Sequence, residues 1–593
     1  MLKCSISSWK GSVAIEWAPT SITHNQETIR MVEMKHLMRW AGLSDIDLNI
    51  SAPALLWVCS IYIMLADNQY FWRALLKLID ISTWNGISFG LGIMAILTCI
   101  FSVIFHSFSA KFLLKPVLIF ILFIAAGVGY FQTKYGVIID RSMIQNVVET
   151  DYKEASELIS FSLLFYLALY GLLPALVVGL VTVRYRPFVK ESLIRVLSLF
   201  GAAFLAGLLI WANYKNFVLI GREHRELRMF VNPTAPLYEA YIFAKTKYYK
   251  VVEGPVQTIG LDGHQSTQYL QARKIDGKKT IVVLVVGETA RAKNFALNGY
   301  VRETNPELSK DDVVSFNNTY SCGTSTAESV PCIFSNFDRV DYSSSDAGQY
   351  ENLLDVLLHS GVHVLWRDNN SGCKGVCKRV SYEDVSNLSI PALCNTSECF
   401  DEILLHQLQE RIQQNNADIF VVLHQKGSHG PAYFKRYPEA FRRFTPECTD
   451  SAPQNCQKET LLNAYDNSIL YTDHFLHQTI QFLKSMSDQY NAVFLYVSDH
   501  GESLGENGLY LHGLPYALSP DEQRHIPMIT WISSGYSASF GLDQQCLKRH
   551  AGQAYSHDNI FHSMLGLFGV ETKQYKKDHD IFRQCLAGIK DSS

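Results

Sequence analysis

The chain has no excess of positive charge. Lys and Arg number 52 against 56 Asp and Glu, a net of −4 over 593 residues. That excludes the basic footprint by which a protein holds nucleic acid. Charge of either sign is scarce, at 18% of residues against 48% hydrophobic. There is no internal repeat and no low-complexity tract, so the chain is expected to fold into two or three ordinary domains. Residues 1–49 contain no signal-peptide apolar core. They are polar and carry Met31, Met34 and Met38, any of which is a candidate for the true start of translation.

The little charge present is unevenly spread. Residues 50–213 are dense in apolar runs, and residues 214–593 read as a soluble globular protein. The runs fall near 50–67, 87–107, 113–131, 160–183 and 194–213. Each is long enough for a hydrocarbon core of ~30 Å, and a buried core helix does not account for five in succession. The first ends in Asp67 and is the weakest. Lys35 and Arg39 precede it, Lys111 and Lys115 follow the second, and Arg184, Arg186 and Lys190 follow the fourth. The positive-inside bias puts those segments in the cytoplasm. Segment 132–159 offsets Lys134, Arg141 and Lys153 with Asp140, Glu149, Asp151, Glu154 and Glu157, so it belongs outside. The residues after Tyr214 then lie outside as well.

Cysteine usage leads to the same compartment. Of 13 cysteines, Cys4, Cys59 and Cys99 lie in the tail or the apolar half, and ten lie beyond residue 280. Several are closely spaced: Cys373 and Cys377, Cys394 and Cys399, Cys448 and Cys456. An even number of cysteines, several closely paired, suits disulfides in an oxidising, periplasm-type space. A zinc ribbon is the competing reading, but the spacings are irregular and fall in loops.

Residues 214–279 read as a connector, with a turn signal at Asn232-Pro233 and a Tyr-rich amphipathic helix predicted over Leu237–Tyr249. From residue 280 strands and helices alternate. Thr280–Val286, His363–Trp366, Ile419–Leu423, Asn491–Val497 and Pro527–Ile532 are short β-rich apolar runs. Tyr465, Ile469, Thr472, Leu476, Ile480 and Leu483 mark one face of a helix within Asn463–Met486. The expected fold of 280–593 is an α/β sandwich on a largely parallel sheet.

Polar clusters follow four of these runs. Glu288 and Thr289 follow the first, Arg367 to Lys374 the second, His424 to His429 the third, Asp499 and His500 the fourth. At one edge of a parallel sheet they would line a single pocket. Asp499, His500 and His512, in VSDHGESLGENGLYLHG, offer donors that a borderline metal accepts. A fifth element, SCGTSTAESVPC (Ser321–Cys332), packs hydroxyls between two cysteines. A helix starting near Thr326 would point its first N–H groups at a phosphate, and a Cys322–Cys332 bridge would fix the loop. The alternative is a plain Ser/Thr helix cap with no chemistry.

GETARAKNFALNGY, SCGTSTAESVPC, WRDNNSGCKG, HQKGSHGPAYFKRY and YVSDHGESLGENGLYLHG resemble the lipid A phosphoethanolamine transferases, the family that includes the mobile colistin-resistance enzymes. The resemblance runs from about residue 50 to the end. It implies five membrane spans and an alkaline phosphatase/sulfatase fold. It implies Zn²⁺ on Glu288, Asp499 and His500, with Thr326 as both nucleophile and ligand. His429 and His512 match histidines that face the substrate and hold a second zinc. Asn370, Ser371 and Lys374 match contacts to phosphoethanolamine or the acceptor. Asn146, Thr150 and Glu154 match polar residues lining a lipid pocket. The ten outer cysteines resemble the five-disulfide version of the family, which adds Cys546–Cys585 and makes a pair of Cys373 and Cys377. The implied reaction moves phosphoethanolamine from phosphatidylethanolamine to a lipid A phosphate in the bacterial inner membrane, by a monomer, and lowers polymyxin binding. Transfer of phosphoethanolamine or phosphoglycerol to a core sugar, glycan or protein is the alternative. A sulfatase is excluded, because the loop lacks the Cys-x-Pro-x-Arg that matures to formylglycine. The expected organisation is a tail (1–49), a transmembrane domain (50–213), a bridging segment (214–279) and a catalytic domain (280–593).

Overall fold

The computed structural model describes residues 49–150, 152–250, 255–395 and 398–586. Nearly all of the polar tail, with Met31, Met34 and Met38, lies outside the described residues.

Among the described residues four helices are long and apolar enough to cross a membrane: Trp84–His106, Leu114–Tyr135, Phe161–Leu180 and Val189–Ala212. Their termini follow from local chemistry. Thr83 caps the first through its side chain, which accepts from the Gly86 N–H at 3.1 Å, and Ser160 caps the third at the Leu163 N–H. Gly136 stops the second with φ of 73°, a left-handed C-cap that glycine adopts without strain. A Cβ there would also sit 2.7 Å from Leu509, because this helix end abuts the soluble domain. The earlier apolar helix, Ala52–Ala66, has only 15 residues. At 1.5 Å per residue it is about 22 Å long, short of a ~30 Å core.

A buried polar node holds this half together. Asn68 follows Ala52–Ala66, and its amide donates to the carbonyls of Ile63 and Asn232 at 2.9 and 2.7 Å. Its Oδ1 accepts from the Asn232 N–H at 2.8 Å. Asn232 in turn donates to the carbonyls of Ala125 and Asp67 at 2.7 and 3.0 Å. The first helix, the helix Leu114–Tyr135 and the connector are thus tied at one point. The connector itself contains the helix Thr234–Lys250, which covers the predicted one.

The soluble half is built on an eight-stranded sheet. In chain order its strands are β1 Lys279–Gly287, β2 Val314–Tyr320, β3 His363–Asp368, β4 Ser381–Asp384, β5 Ile419–His424, β6 Tyr490–Ser498, β7 His525–Ile532 and β8 Tyr555–Ser556. The spatial order is β8-β2-β7-β6-β1-β5-β3-β4. Only β7 runs against the others. All five predicted strands are present, slightly extended. Strands β2, β4 and β8 are additional. β2 buries only Val314, Phe316 and Thr319, and Asn317 and Asn318 break the alternation, so it has no apolar run to read.

Successive side chains of a strand point to opposite faces, and both faces here are covered. Val282, Leu284 and Val286 enter one core and Ile281, Val283 and Val285 the other. This is why β1 reads as an unbroken apolar string. Helix Lys458–Ser485 seals the second face with Tyr465, Ile469, Leu476, Ile480 and Leu483. Residues 264–276, within the stretch read as connector, pack on the sheet. His264–Gln265 pairs with Val570–Glu571, and the Tyr269 hydroxyl donates to Thr280 Oγ1 at 2.6 Å.

Replacing Asn232 by Ala removes two buried side-chain hydrogen bonds. At about 0.5–1.5 kcal/mol each, the expected loss is about 1–3 kcal/mol. Thermal unfolding of the detergent-solubilised protein should show a lower midpoint. An unchanged midpoint would mean the node is not holding these elements together.

Candidate active site

Because β1, β3, β5 and β6 are parallel, their carboxyl ends meet at one edge. The register pairs Gly287 with Ser498, Val286 with His424, and Asp368 with His424. One step beyond, Glu288 and Asp499 stand side by side. Gly427 lets the loop after β5 cross this edge. Its φ is 52°, and a Cβ would lie 2.7 Å from the Glu288 carbonyl.

Helix Thr326–Ile333 delivers Thr326 as its first residue, after the cap residue Ser325. The loop before it is held from three sides. The Cys322–Cys332 disulfide spans it. The Cys322 N–H donates to His557 Nδ1 at 3.0 Å, and His557 Nε2 lies 2.9 Å from the Ser498 carbonyl. The Gly513 N–H donates to the Thr324 carbonyl at 2.8 Å, which brings the His512 segment to the same place.

Thr326 Oγ1 lies 3.0 Å from Glu288 Oε2 and 3.3 Å from His500 Nε2. His500 Nε2 is 3.5 Å from Glu288 Oε1 and 3.3 Å from Asp499 Oδ2. One ligand atom from each of Glu288, Asp499 and His500 falls within 4.8 Å of the others. All three residues are buried. His500 Nδ1 sits 2.9 Å from the Gly501 carbonyl, so Nδ1 carries the proton and Nε2 presents a lone pair inward. Asp499 Oδ1 accepts from the N–H groups of Thr289 and His500 at 3.1 and 2.7 Å, whereas Oδ2 has no hydrogen-bond partner. Thr289 takes a φ of 59°, strained for a β-branched residue.

The electrostatics describe a site short of positive charge. Burial and the Glu288 carboxylate push Asp499 well above the usual carboxylate range. Burial also pushes Glu288 up, but the imidazoles around it, His500 first and then His429 and His512, outweigh burial and hold Glu288 below that range. Burial, then the charge of His512, takes His500 down to about 3, so its imidazole is neutral. Two carboxylates cannot both ionise in one buried volume without a cation between them. Two carboxylate oxygens and one imidazole nitrogen form a donor set that fits a divalent metal, with the fourth position left for the adjacent Thr326 hydroxyl. A second cluster, Cys546, His550 and Cys585, offers no such site, because its cysteines are disulfide-bonded.

His512 stands over this group, its ring centroid 4.2 Å from that of His500 and 6.3 Å from that of His429. Burial alone would lower its pKa. Glu502, which accepts from Nδ1 at 2.8 Å, overrides burial and lifts it to about 9. Tyr433 holds the other oxygen of Glu502.

Asn370 points inward. Its amide donates to Glu288 Oε2 at 2.7 Å and to the Gln425 carbonyl at 3.1 Å, so it orients the carboxylate. Ser371 and Lys374 sit beside it, with Lys374 Nζ 2.9 Å from Ser371 Oγ. Asn370 and Ser371 line a cavity of about 520 Å³ that continues to Tyr382, Glu398 and Lys426. Asn146 and Thr150 occupy the end of helix Arg141–Glu149, where Thr150 Oγ1 donates to the Asn146 carbonyl at 2.7 Å. That helix rests on the Thr326 helix. Ser142 Oγ is 3.3 Å from Ser325 Oγ, and the Gln145 amide is 3.5 Å from the Ala327 carbonyl. Glu154 belongs to helix Tyr152–Glu157, and its side chain lies outside the described residues. All ten outer cysteines are paired: Cys322–Cys332, Cys373–Cys377, Cys394–Cys399, Cys448–Cys456 and Cys546–Cys585.

Residues 280–570 match the Sulfatase family model, and residues 97–248 match the model for Phosphoethanolamine transferase EptA/EptB. Phosphoethanolamine transferase EptA of Escherichia coli K12 is 38% identical over 539 residues, covering 91% of this chain and 97% of that protein. The chain belongs to the phosphoethanolamine transferase family. Phosphatidylethanolamine transferase Mcr-1 of E. coli is 40% identical to this family member over 495 residues, 82% of this chain and 88% of its own. The solved integral membrane protein lipooligosaccharide phosphoethanolamine transferase A from Neisseria meningitidis superposes with a TM-score of 0.86 at 37% identity, covering 91% of this chain and 99% of that one. The family member is therefore an integral membrane protein with an α/β soluble domain of the sulfatase type.

Sequence reasoning did not single out His557, Glu502 or Tyr433. Glu502 lay inside the most informative motif, three residues after Asp499, but its pairing with His512 depends on a chain reversal that no local pattern announces. His557 sits in a short polar stretch, Ser556–Asn559, that follows no apolar run, and only the tertiary fold carries it to Cys322.

Glu288→Gln and Asp499→Asn are each expected to lower bound metal to less than about half of the parent's stoichiometry, since each removes one of three protein ligands. Elemental analysis of the purified full-length protein checks this. Full occupancy in either variant would remove that residue from the ligand set.

Proposed function

We propose that this transferase is a zinc-dependent enzyme of the bacterial inner membrane, facing the periplasm, that moves phosphoethanolamine from phosphatidylethanolamine to a lipid A phosphate. The observation that carries the reading is the Thr326 hydroxyl. It stands at a helix N-terminus, between Glu288 and the unprotonated Nε2 of His500, in a chain whose apolar half can hold it at a membrane. The relatives point the same way: one is a phosphatidylethanolamine transferase, and another is a lipooligosaccharide phosphoethanolamine transferase. In this reading Ala52–Ala66 is the first of five crossings, which leaves the soluble domain outside.

Glu288, Asp499 and His500 would hold the zinc ion, which supplies a lowered pKa for the Thr326 hydroxyl and offsets charge on the phosphoryl oxygens. Thr326 Oγ1 attacks phosphorus of the donor, the bond from phosphorus to the diacylglycerol oxygen breaks, and a phosphoethanolamine–Thr326 ester remains. The Thr326 hydroxyl is oriented by its hydrogen bond to Glu288 Oε2, and its proton passes on to solvent. His512, kept protonated by Glu502, gives a proton to the departing alkoxide. An oxygen of the lipid A phosphate then attacks the same phosphorus, the proton of that phosphate restores His512, and Thr326 Oγ1 leaves and takes a proton from solvent, regenerating the hydroxyl. The N–H groups of the first helical turn face the phosphoryl oxygens throughout. The added amine offsets negative charge on lipid A, so cationic peptides such as polymyxin bind it less.

A second reading places the group on a core sugar. Kdo(2)-lipid A phosphoethanolamine 7''-transferase of Salmonella typhimurium is related, but at 27% identity over 442 residues it is more distant.

Mass spectrometry of lipid A from a susceptible host separates these readings. The parent chain is expected to add one phosphoethanolamine and Thr326→Ala none, although both bind metal. Modified lipid A in the Thr326→Ala strain would sink the nucleophile. Phosphoethanolamine on core sugar with unmodified lipid A would favour the second reading.

The pH profile tests His512. Its protonated form is the active one and is lost as pH rises through about 9, so turnover should fall there. Glu502→Gln removes the charge that raises this pKa, and the alkaline limb should move to lower pH. An unmoved limb would assign the proton to another group.

A further inference from the structure

The external loop between the second and third long apolar helices crosses the active site and is fastened at both ends. At its near end, helix Arg141–Glu149 lies on the first turn of the Thr326 helix through Ser142 and Gln145. At its far end Glu157 closes helix Tyr152–Glu157 and meets the segment that carries His429. The meeting point is Arg436, a buried guanidinium. Arg436 Nη2 pairs with Glu157 and Nη1 with Glu398, while Nε donates to the His429 carbonyl at 2.7 Å. Lys435 Nζ takes the other Glu157 oxygen at 3.1 Å. Glu398 also faces Lys426 at 3.5 Å, and both line the cavity next to Asn370 and Ser371.

Three features separate this cluster from an ordinary surface ion pair. Its arginine is withdrawn from water, where an unpaired charge is costly. The planar fork uses all three nitrogens on three different segments, a geometry lysine cannot reproduce. One of those segments comes from the membrane half, and it is the segment that bears Thr150 and Glu154.

From this geometry, and resting on the function proposed above, we infer that Arg436 and Glu157 form a latch. It holds the loop of residues 141–157 across the site and sets the site's selectivity for a membrane-borne phospholipid over a small soluble phosphodiester. The nucleophile and its metal ligands need none of these residues. A lipid headgroup presented from the bilayer must pass beneath the loop, and there the latch acts. Arg436 and Glu157 are positioning residues: among the described contacts neither touches Thr326, and Arg436 meets the site through the His429 carbonyl and Glu398.

The test uses the full-length protein in lipid nanodiscs with two donors, phosphatidylethanolamine and p-nitrophenyl phosphorylethanolamine. Glu157→Gln keeps the shape of the side chain and removes its charge. It is expected to raise KM for the phospholipid by about tenfold or more, with kcat changed far less, and to leave cleavage of the soluble donor within about twofold. Lys435→Met, which leaves Arg436 intact, should shift the phospholipid KM in the same direction by less. Equal loss on both donors in Glu157→Gln would show a general structural role and overturn the latch, as would no loss on either. If the parent protein itself transfers nothing from phosphatidylethanolamine, the proposed function fails first, and the comparison of variants on the soluble donor shows that separately.

Discussion

Two carboxylates, Glu288 and Asp499, are buried side by side at the ends of adjacent parallel strands, and the site is organised around that constraint. Neither can be ionised cheaply without the other being compensated. The compensation is built from several directions. His500 turns a lone pair inward because Gly501 takes its other nitrogen. Asn370 and Thr289 donate to Glu288, and backbone N–H groups hold one oxygen of Asp499. One oxygen of Asp499 is left without a partner. A divalent metal completes such a set, and the Thr326 hydroxyl is already within reach of it.

The rest of the soluble domain can be understood as scaffolding for that arrangement. Residues on both faces of the sheet are packed away from water, so strand ends are fixed relative to one another and not merely near. Gly427 permits a close crossing over Glu288, and the strained backbone of Thr289 is tied by Tyr465, whose hydroxyl donates to the Thr289 carbonyl at 2.8 Å. Disulfide and imidazole contacts clamp the loop that presents Thr326. The catalytic geometry is therefore held by rigid elements, and the one element drawn from the membrane half is the loop 141–157. That division suits an enzyme whose chemistry is general and whose substrates arrive from a bilayer.

The two halves were legible in the sequence to different degrees. β1, β5 and β6 are buried on both faces and read as plain apolar strings, and the polar residues after them mark the strand ends without ambiguity. Strand β2 was not legible, because a half-exposed strand with two asparagines has neither an apolar run nor a clean alternation. The long helices were legible because lipid demands about twenty apolar residues in a row. Ala52–Ala66 is too short for that rule on its own, and the buried Asn68–Asn232 node, which ties it to its neighbours, has no sequence signature.

Composition and local pattern by themselves determined a membrane-bound α/β protein with a disulfide-bonded soluble domain and a strand-edge cluster of carboxylates and imidazoles. These depend on hydropathy, charge and spacing, which are properties of short stretches of chain. Only the tertiary structure decided that Asn370 serves Glu288, that Glu502 charges His512, that His557 holds the Thr326 loop, and that Arg436 gathers Glu157, Glu398 and His429. Each of these rests on directional contacts between groups that no local repeat brings together. No periodicity encodes such a contact, because it exists only once the sheet has set the distances between its loops.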